Sequence, residues 1–310
     1  MIVALAGGVG GAKLAHGLML AAGGDQLHVI VNTADDFDLF GLRISPDLDT
    51  VLYTLAGLAN PDTGWGIAGD TFTALDMLGR YGDETWFRLG DRDLATHIPR
   101  TQRLRAGWPL SRVTAALGES LGVAARILPM CDEPVATLVE TPDGTLAFQD
   151  YFVRRRHADP VLAVHFSGIA GARAPEGVRE TLAAAEIIVL CPSNPVVSIG
   201  PILAVPGLRA LIETSRAPRV AVSPIVGGKA LRGPADRMLE GLGMESSALG
   251  VARIYRDIIQ GMVLDRADAD LAGAIEALGI RALVSDTVMH NVEDRQRLAG
   301  EVLAFGQTLI

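Results

Sequence analysis

Apolar and polar positions fall into blocks that read as strand, turn and helix from the first residue onward. Residues 1–6 and 27–32 are near-continuous apolar runs, the pattern of strands covered on both faces in a parallel sheet. Between them, residues 11–22 show helical spacing. Helices are predicted next over Asp47–Leu58, Asp70–Tyr81, Leu94–Ala106 and Leu110–Leu121, the last two parted by Gly107-Trp108-Pro109. Short strands follow at Ala125–Pro129, Val135–Glu140 and Thr145–Asp150, with Pro142-Asp143-Gly144 turning the second into the third. Alternation then resumes: helix Gly177–Ala185, strand Ile187–Cys191, helix Ile199–Glu213 with Pro206-Gly207 inside it, strand Arg219–Ser223. Helices at Gly233–Gly241, Ser247–Ile259, Ala267–Leu278 and Val292–Phe305 close the chain, with strands Met262–Asp265 and Ala282–Ser285 between them. Stripes such as Leu271, Ile275 and Leu278 are core faces. The order implies one α/β domain, residues 1–310. Its core is a doubly wound, mostly parallel, Rossmann-like sheet, with a smaller α/β subdomain inserted at about 110–180.

Composition narrows the class. At 310 residues the chain can bury a large core, and 49% hydrophobic residues with a mean hydropathy of +0.30 suit buried parallel strands. No apolar run is long enough for a membrane span, and no basic leader precedes the first strand, so a cytoplasmic protein is expected. Cys131 and Cys191 lie in apolar contexts and read as free thiols. A net charge of −9 argues against a nucleic-acid partner, which needs a basic surface. There is no G-x-S-x-G elbow, H-E-x-x-H pair or Cys/His metal spacing.

The chemistry concentrates in loops that follow strands. Gly7-Gly8-Val9-Gly10-Gly11-Ala12-Lys13 links the first strand to the first helix. Glycines let the backbone approach an anion, and a helix N-terminus presents free N–H groups to it. The loop is neither a Walker A motif nor a G-x-G-x-x-G; alternatively it is only a tight turn. Lys13 is placed to neutralise phosphate or to sit on the surface. Asn32-Thr33-Ala34-Asp35-Asp36 ends the second strand, at the edge where open α/β sheets bind ligands. Ser45-Pro46-Asp47-Leu48-Asp49-Thr50 starts a helix with two carboxylates, more than capping requires. Such oxygens suit Mg²⁺, or accept a proton from an attacking hydroxyl.

Arg88-Leu89-Gly90-Asp91-Arg92-Asp93-Leu94-Ala95-Thr96-His97 packs two arginines, two aspartates and a histidine into ten residues. Arg92 and His97 are catalytic candidates, the arginine because its fork holds two oxygens at once. Asp93 is expected to cap the following helix. Cys191-Pro192-Ser193-Asn194-Pro195 with Ser198, and Ser223-Pro224-Ile225, form stiff polar loops at two later strand ends, suited to a nucleotide. Arg154-Arg155-Arg156-His157 reads as a solvated strand end.

In order and spacing these motifs resemble the 2-phospho-L-lactate transferases of deazaflavin coenzyme (factor 420) biosynthesis, over about residues 1–305. The resemblance implies a Mg²⁺-dependent, dimeric enzyme. It would join a phosphorylated three-carbon acid (lactyl, enolpyruvyl or glyceryl), activated as a diphosphate with guanosine, to the ribityl chain of a deazaflavin, releasing GMP. It implies that Asp49 and Arg88 contact the deazaflavin, with Asp49 also holding metal or orienting the hydroxyl. Asp36 and Asp47 are the further metal candidates. Gly7, Gly8, Gly10 and Gly11 would cradle the diphosphate, and Asn32, Ser193, Asn194 and Pro224 would line the guanosine side. The glycine-loop opening is also shared with the gluconeogenesis-factor family of nucleotide-sugar-binding regulators, which sets binding without turnover as the alternative. A nicotinamide oxidoreductase has the wrong glycine spacing.

Overall fold

Seven parallel strands carry the fold, in a computed structural model that describes residues 1–309. They are β1 (Ile2–Ala6), β2 (Leu27–Val31), β5 (Arg126–Pro129), β9 (Ile187–Leu190), β10 (Arg219–Val222), β13 (Gly261–Asp265) and β14 (Arg281–Ser285). Their spatial order is β14-β13-β10-β9-β1-β2-β5. The chain starts in the middle, builds outward through β2 and β5, then returns to lay β9 against the other side of β1. Leu5 therefore pairs with Ile30 on one side and Leu190 on the other. The order reverses between β1 and β9, which makes a crevice at their C-terminal ends. The expected doubly wound α/β class holds.

Burial explains the apolar runs. Every residue of β1, β9, β10 and β13 is buried. Because side chains alternate across a strand, Val3 and Leu5 enter one core while Ile2, Ala4 and Ala6 enter the other. The second core is roofed by α1 (Gly8–Ala22), α2 (Pro46–Leu55), α5 (Leu110–Ser120) and α12 (Val292–Gln307). The first is roofed by α6 (Glu176–Ala183), α7 (Ile199–Ala204), α8 (Leu208–Glu213) and α10 (Ala248–Ile254). Close packing of α1 on α12 needs Gly17, where a side chain would run into the Arg295 backbone.

Between β5 and α6 the chain forms an antiparallel sheet in the order β7-β6-β8, from β6 (Ala136–Thr141), β7 (Gly144–Ala147) and β8 (Ala163–Ser167). It closes a third core around Val139, Tyr151, Val161 and Met238. Within residues 110–180, α5 and β5 belong to the main layers, and this small sheet occupies Ala136–Ser167.

Several local expectations change. The helix expected over Ile199–Glu213 is two helices, α7 and α8, broken where Gly207 adopts φ +84°. The basic run 154–157 starts on the last residue of a π-helical turn, Asp150–Arg154, rather than ending a strand, and Arg156 and His157 take positive φ to reverse the chain. Three features escaped the periodicity. They are β8, the pair β11 (Ile225–Val226) and β12 (Lys229–Ala230), and the hairpin β3 (Phe37–Leu39) to β4 (Leu42–Ile44). The hairpin turns through Phe40 and Gly41, both at positive φ, where Asn-Gly or Asp-Gly would have announced it. Among the described residues no helix is long and apolar enough to cross a membrane.

Candidate active site

The glycine loop is shaped by its neighbours. Gly8 adopts φ +63°, the left-handed region that a side chain disfavours, as the chain leaves β1 and enters α1. This turn aims the Gly8 N–H at Asp47 Oδ1, 2.8 Å away. A methyl group on Gly10 would strike the Pro192 carbonyl, and one on Gly11 the Ser193 hydroxyl. Ser193 Oγ accepts from the Gly7 N–H at 3.1 Å and donates to the Gly7 carbonyl at 2.8 Å. The loops after β1 and β9, 186 residues apart in sequence, are thus locked edge to edge.

Asn32 extends the lock to β2. Its amide donates to Asp47 Oδ2 at 2.9 Å and to the Val197 carbonyl at 3.2 Å, and its oxygen accepts the Ala34 N–H. Asp47, in the first turn of α2, therefore receives bonds from two other loops. Burial pushes its carboxyl up to about 6, against the pull of Asn32 and Gly8. Ser198 is buried against Gly7. Asn194 accepts the Val196 N–H at 2.9 Å and so shapes the same loop. Pro224 is half-buried beside Ser223, at the end of β10.

A second group gathers beside Asp47. Asp36 accepts from the Ser45 hydroxyl at 2.7 Å and lies 3.7 Å from the Arg43 guanidinium, yet burial pushes it up to about 7. Asp35 is raised well above the carboxylate range, by burial first and the Asp47 charge second. Asp49 turns the other way, onto α4 (Asp91–Arg105), where both of its oxygens are gripped by Arg100. His97 stands 3.6 Å from Asp49, and its Nδ1 lies 3.0 Å from an Arg100 nitrogen. Burial pushes His97 down to about 4, so it is neutral at pH 7. Since a guanidinium only donates, Nδ1 accepts, which puts the ring proton on Nε2.

Arg100 is the residue that sequence reasoning missed. Asp93, His97 and Arg100 fall three or four apart on the buried face of α4, and that polar stripe was the available signal. Asp93 sits at the third helical position rather than at the N-cap, which is Gly90, yet it caps the helix as expected by accepting the Gly90 N–H at 3.5 Å. Asp70, expected inside a helix, instead accepts the Arg92 and Asp93 N–H groups at 2.8 and 3.2 Å, ahead of α3 (Thr73–Arg80).

Three cationic candidates are otherwise occupied. Lys13 donates to the Met289 carbonyl at 2.7 Å, and burial lowers its pKa. Exposed Arg92 donates to the Ala68 carbonyl at 2.9 Å. Exposed Arg88 lies over the Phe72 ring, 4.1 Å from its centroid. A hollow of about 620 Å³ lies off the β5 edge, between α5 and the start of α6, and is lined by none of these side chains. A smaller one of about 170 Å³ opens on Asp36 and Arg43.

The cluster is short of cations. Asp35 and Asp36 each keep a buried oxygen with no hydrogen-bond partner, costly unless something positive faces them. Among the described residues no three acidic, histidine or cysteine groups form a self-sufficient metal cage. A hard cation held by one or two carboxylates plus substrate oxygens fits this donor set, and that is how Mg²⁺ is usually bound.

Fold and crevice define a class: an open, doubly wound α/β protein whose ligand edge lies at the switch point between β1 and β9. The chain belongs to the family described as 2-phospho-L-lactate transferase CofD, whose model matches residues 2–299. It is 45% identical, over 99% of its length and 98% of the relative's, to a phosphoenolpyruvate transferase of Kitasatospora aureofaciens. It is 40% identical to a 2-phospho-L-lactate transferase of Methanosarcina acetivorans, over 99% of this chain and 100% of that one. A solved member of the upf0052 family from Bacillus halodurans shares the fold, with a TM-score of 0.62 at 16% identity over 97% of this chain and 98% of that one. The chain is a transferase.

Proposed function

We propose that this transferase moves a phospho-carboxylic acid group from a guanosine diphosphate-type donor to the ribityl hydroxyl of 7,8-didemethyl-8-hydroxy-5-deazariboflavin. GMP is released. Among the possible acids, phosphoenolpyruvate is favoured, because relatives of that name are 43–45% identical and phospholactate relatives 40%. The observation that carries the site is the convergence of three strand-end loops on Asp47: Gly8 after β1, Asn32 after β2 and, through Val197, the loop after β9.

In this reading the ribityl oxygen attacks the phosphorus bearing the acid. The new P–O bond forms as the bond to the GMP phosphate breaks, and the hydroxyl proton departs to a carboxylate or to water. Such a step rests on positioning and charge neutralisation. The N-terminus of α1 and its glycines hold the diphosphate. The Ser193–Asn194 loop and Pro224 line the guanosine. Asp49, held by Arg100, accepts the ribityl hydroxyl, and Arg88 meets the deazaflavin from the rim. Asp36 and Asp47, with Asp35 beside them, would hold Mg²⁺, which when bound offsets the diphosphate charge. The active form is proposed to be a homodimer, and light scattering would test this.

The decisive experiment mixes purified protein, the deazaflavin, Mg²⁺ and each guanylated acid in turn, with mass detection of product. The phosphodiester of the deazaflavin with the acid, and stoichiometric GMP, are expected, fastest with the enolpyruvyl donor. Ligand binding without GMP from any donor would favour the regulator reading instead.

A further inference from the structure

Residues 58–68 fold into a hydrogen-bonded loop that touches the glycine loop on one side and the start of α4 on the other. Its stem is set by an Ala59–Ile67 bridge and by the Ala68 N–H on the Leu58 carbonyl at 2.8 Å. Within it the Asn60 N–H reaches the Gly66 carbonyl at 3.0 Å, the Gly64 N–H reaches the Asn60 carbonyl at 2.8 Å, and the Thr63 hydroxyl donates to the Trp65 carbonyl at 2.6 Å. Arg232, from the segment between β12 and α9 (Ala235–Gly241), donates to the Thr63 and Asp62 carbonyls. One residue stands out at the tip: Trp65 is 44% exposed.

Scattered exposed apolar residues are ordinary, so exposure alone means little. The flanking backbone adds more. Gly64 and Gly66 both take positive φ, so the chain turns sharply on each side of the indole. Gly64 sits against Val9 of the glycine loop, where a side chain would collide with the Val9 methyl. A side chain on Gly66 would stand 3.9 Å from Asp93 Oδ2. Trp65 therefore stands between the phosphate-cradling wall and the α4 wall that carries Arg100 and His97. A rigid loop fixing a large flat aromatic at a crevice mouth is built to stack on something flat.

We propose that Trp65 is a binding residue for the acceptor, supplying the face on which its planar tricyclic ring stacks. This rests on the deazaflavin reading of the site. The stack holds the ring at the mouth while the flexible ribityl chain reaches inward past Asp93 to Asp49. Donor binding, at the glycine loop and the β9 loop, does not involve the indole.

The test titrates deazaflavin alone into the full-length protein, following tryptophan emission and calorimetric Kd. Emission from the unaltered protein should be quenched. Trp65→Leu, which keeps an apolar side chain but removes the π face, should weaken deazaflavin binding about 10-fold or more and lose most of the quench, while GMP affinity and the melting temperature stay put. Trp65→Phe should retain most of the affinity. A Trp65→Leu protein that binds deazaflavin within twofold of the parent, or loses GMP binding equally, overturns the role of Trp65 and leaves the acceptor reading intact. If the unaltered protein binds no deazaflavin, both fall.

Discussion

Replacing Arg100 with methionine tests the energetics of the site most directly. Arg100 is 2% exposed and makes three polar contacts, two to Asp49 and one to His97. Methionine fills similar space but strands the Asp49 carboxylate in a position 6% exposed. Removing one partner of a buried ion pair typically costs about 3–5 kcal/mol, because the survivor's desolvation is no longer offset. In a chain of 310 residues that corresponds to a fall in melting temperature of about 5–8 °C. Arg100→Lys keeps the charge but loses the two-pronged grip, and should cost about 1–2 kcal/mol. The double variant Arg100→Met with Asp49→Leu removes both charges and should recover at least about 1–2 kcal/mol relative to the sum of the single changes. Denaturant unfolding and calorimetry on the four proteins measure the cycle. An Arg100→Met protein melting within 2 °C of the parent, or strictly additive changes, would refute the claim that this pair is a tight, desolvated unit.

Other perturbations probe other parts of the molecule. Gly10→Ala places a methyl against the Pro192 carbonyl and should cost about 1–3 kcal/mol and impair turnover, whereas Gly300→Ala in α12, with open space around it, should stabilise by about 0.5–1 kcal/mol; equal effects in thermal melts would contradict the packing at the β1–β9 junction. His97 is held near 4 in the fold and returns to about 6.5 when unfolded. Below pH 6.5 the unfolded chain therefore takes up a proton that the folded His97 refuses, so the His97 contribution to stability should be lost as pH falls from about 6.5 to 4, while Asp36 and Asp47, raised to about 7 and 6, act in the opposite sense; the difference in unfolding free energy between the parent and His97→Gln should fall across that window, and a flat difference would refute it. Asp47→Asn should raise the Mg²⁺ concentration needed for half-maximal turnover, and an unchanged metal titration would remove Asp47 from the ion's shell.

Much of this could be read in the chain. Strands buried on both faces must be apolar at every position, so β1, β9, β10 and β13 announce themselves. The glycine loop and the doubled aspartates of α2 stand out because a turn or a cap alone would not need so many. Elements without such a local signature went unread. The β3–β4 hairpin turns through a phenylalanine, β8 is half polar because one side meets water, and β11–β12 has only two residues per strand. The split of α7 from α8 was written in Pro206-Gly207, yet whether such a pair kinks or ends a helix depends on what the two pieces pack against.

By itself, then, the sequence determined the alternation of elements, the class of sheet and the family, because these follow from side-chain periodicity and contiguous motifs. Only the tertiary structure decided which carboxylate does what. Asp47 and Asp49 look equivalent in Ser45-Pro46-Asp47-Leu48-Asp49-Thr50. Two residues along a helix is roughly half a turn, so they face opposite ways: Asp47 onto the glycine loop and Asn32, Asp49 onto an arginine 51 residues distant. Strand order brings β9 beside β1 and α4 across α2, and no local pattern encodes which distant charge a buried carboxylate will meet.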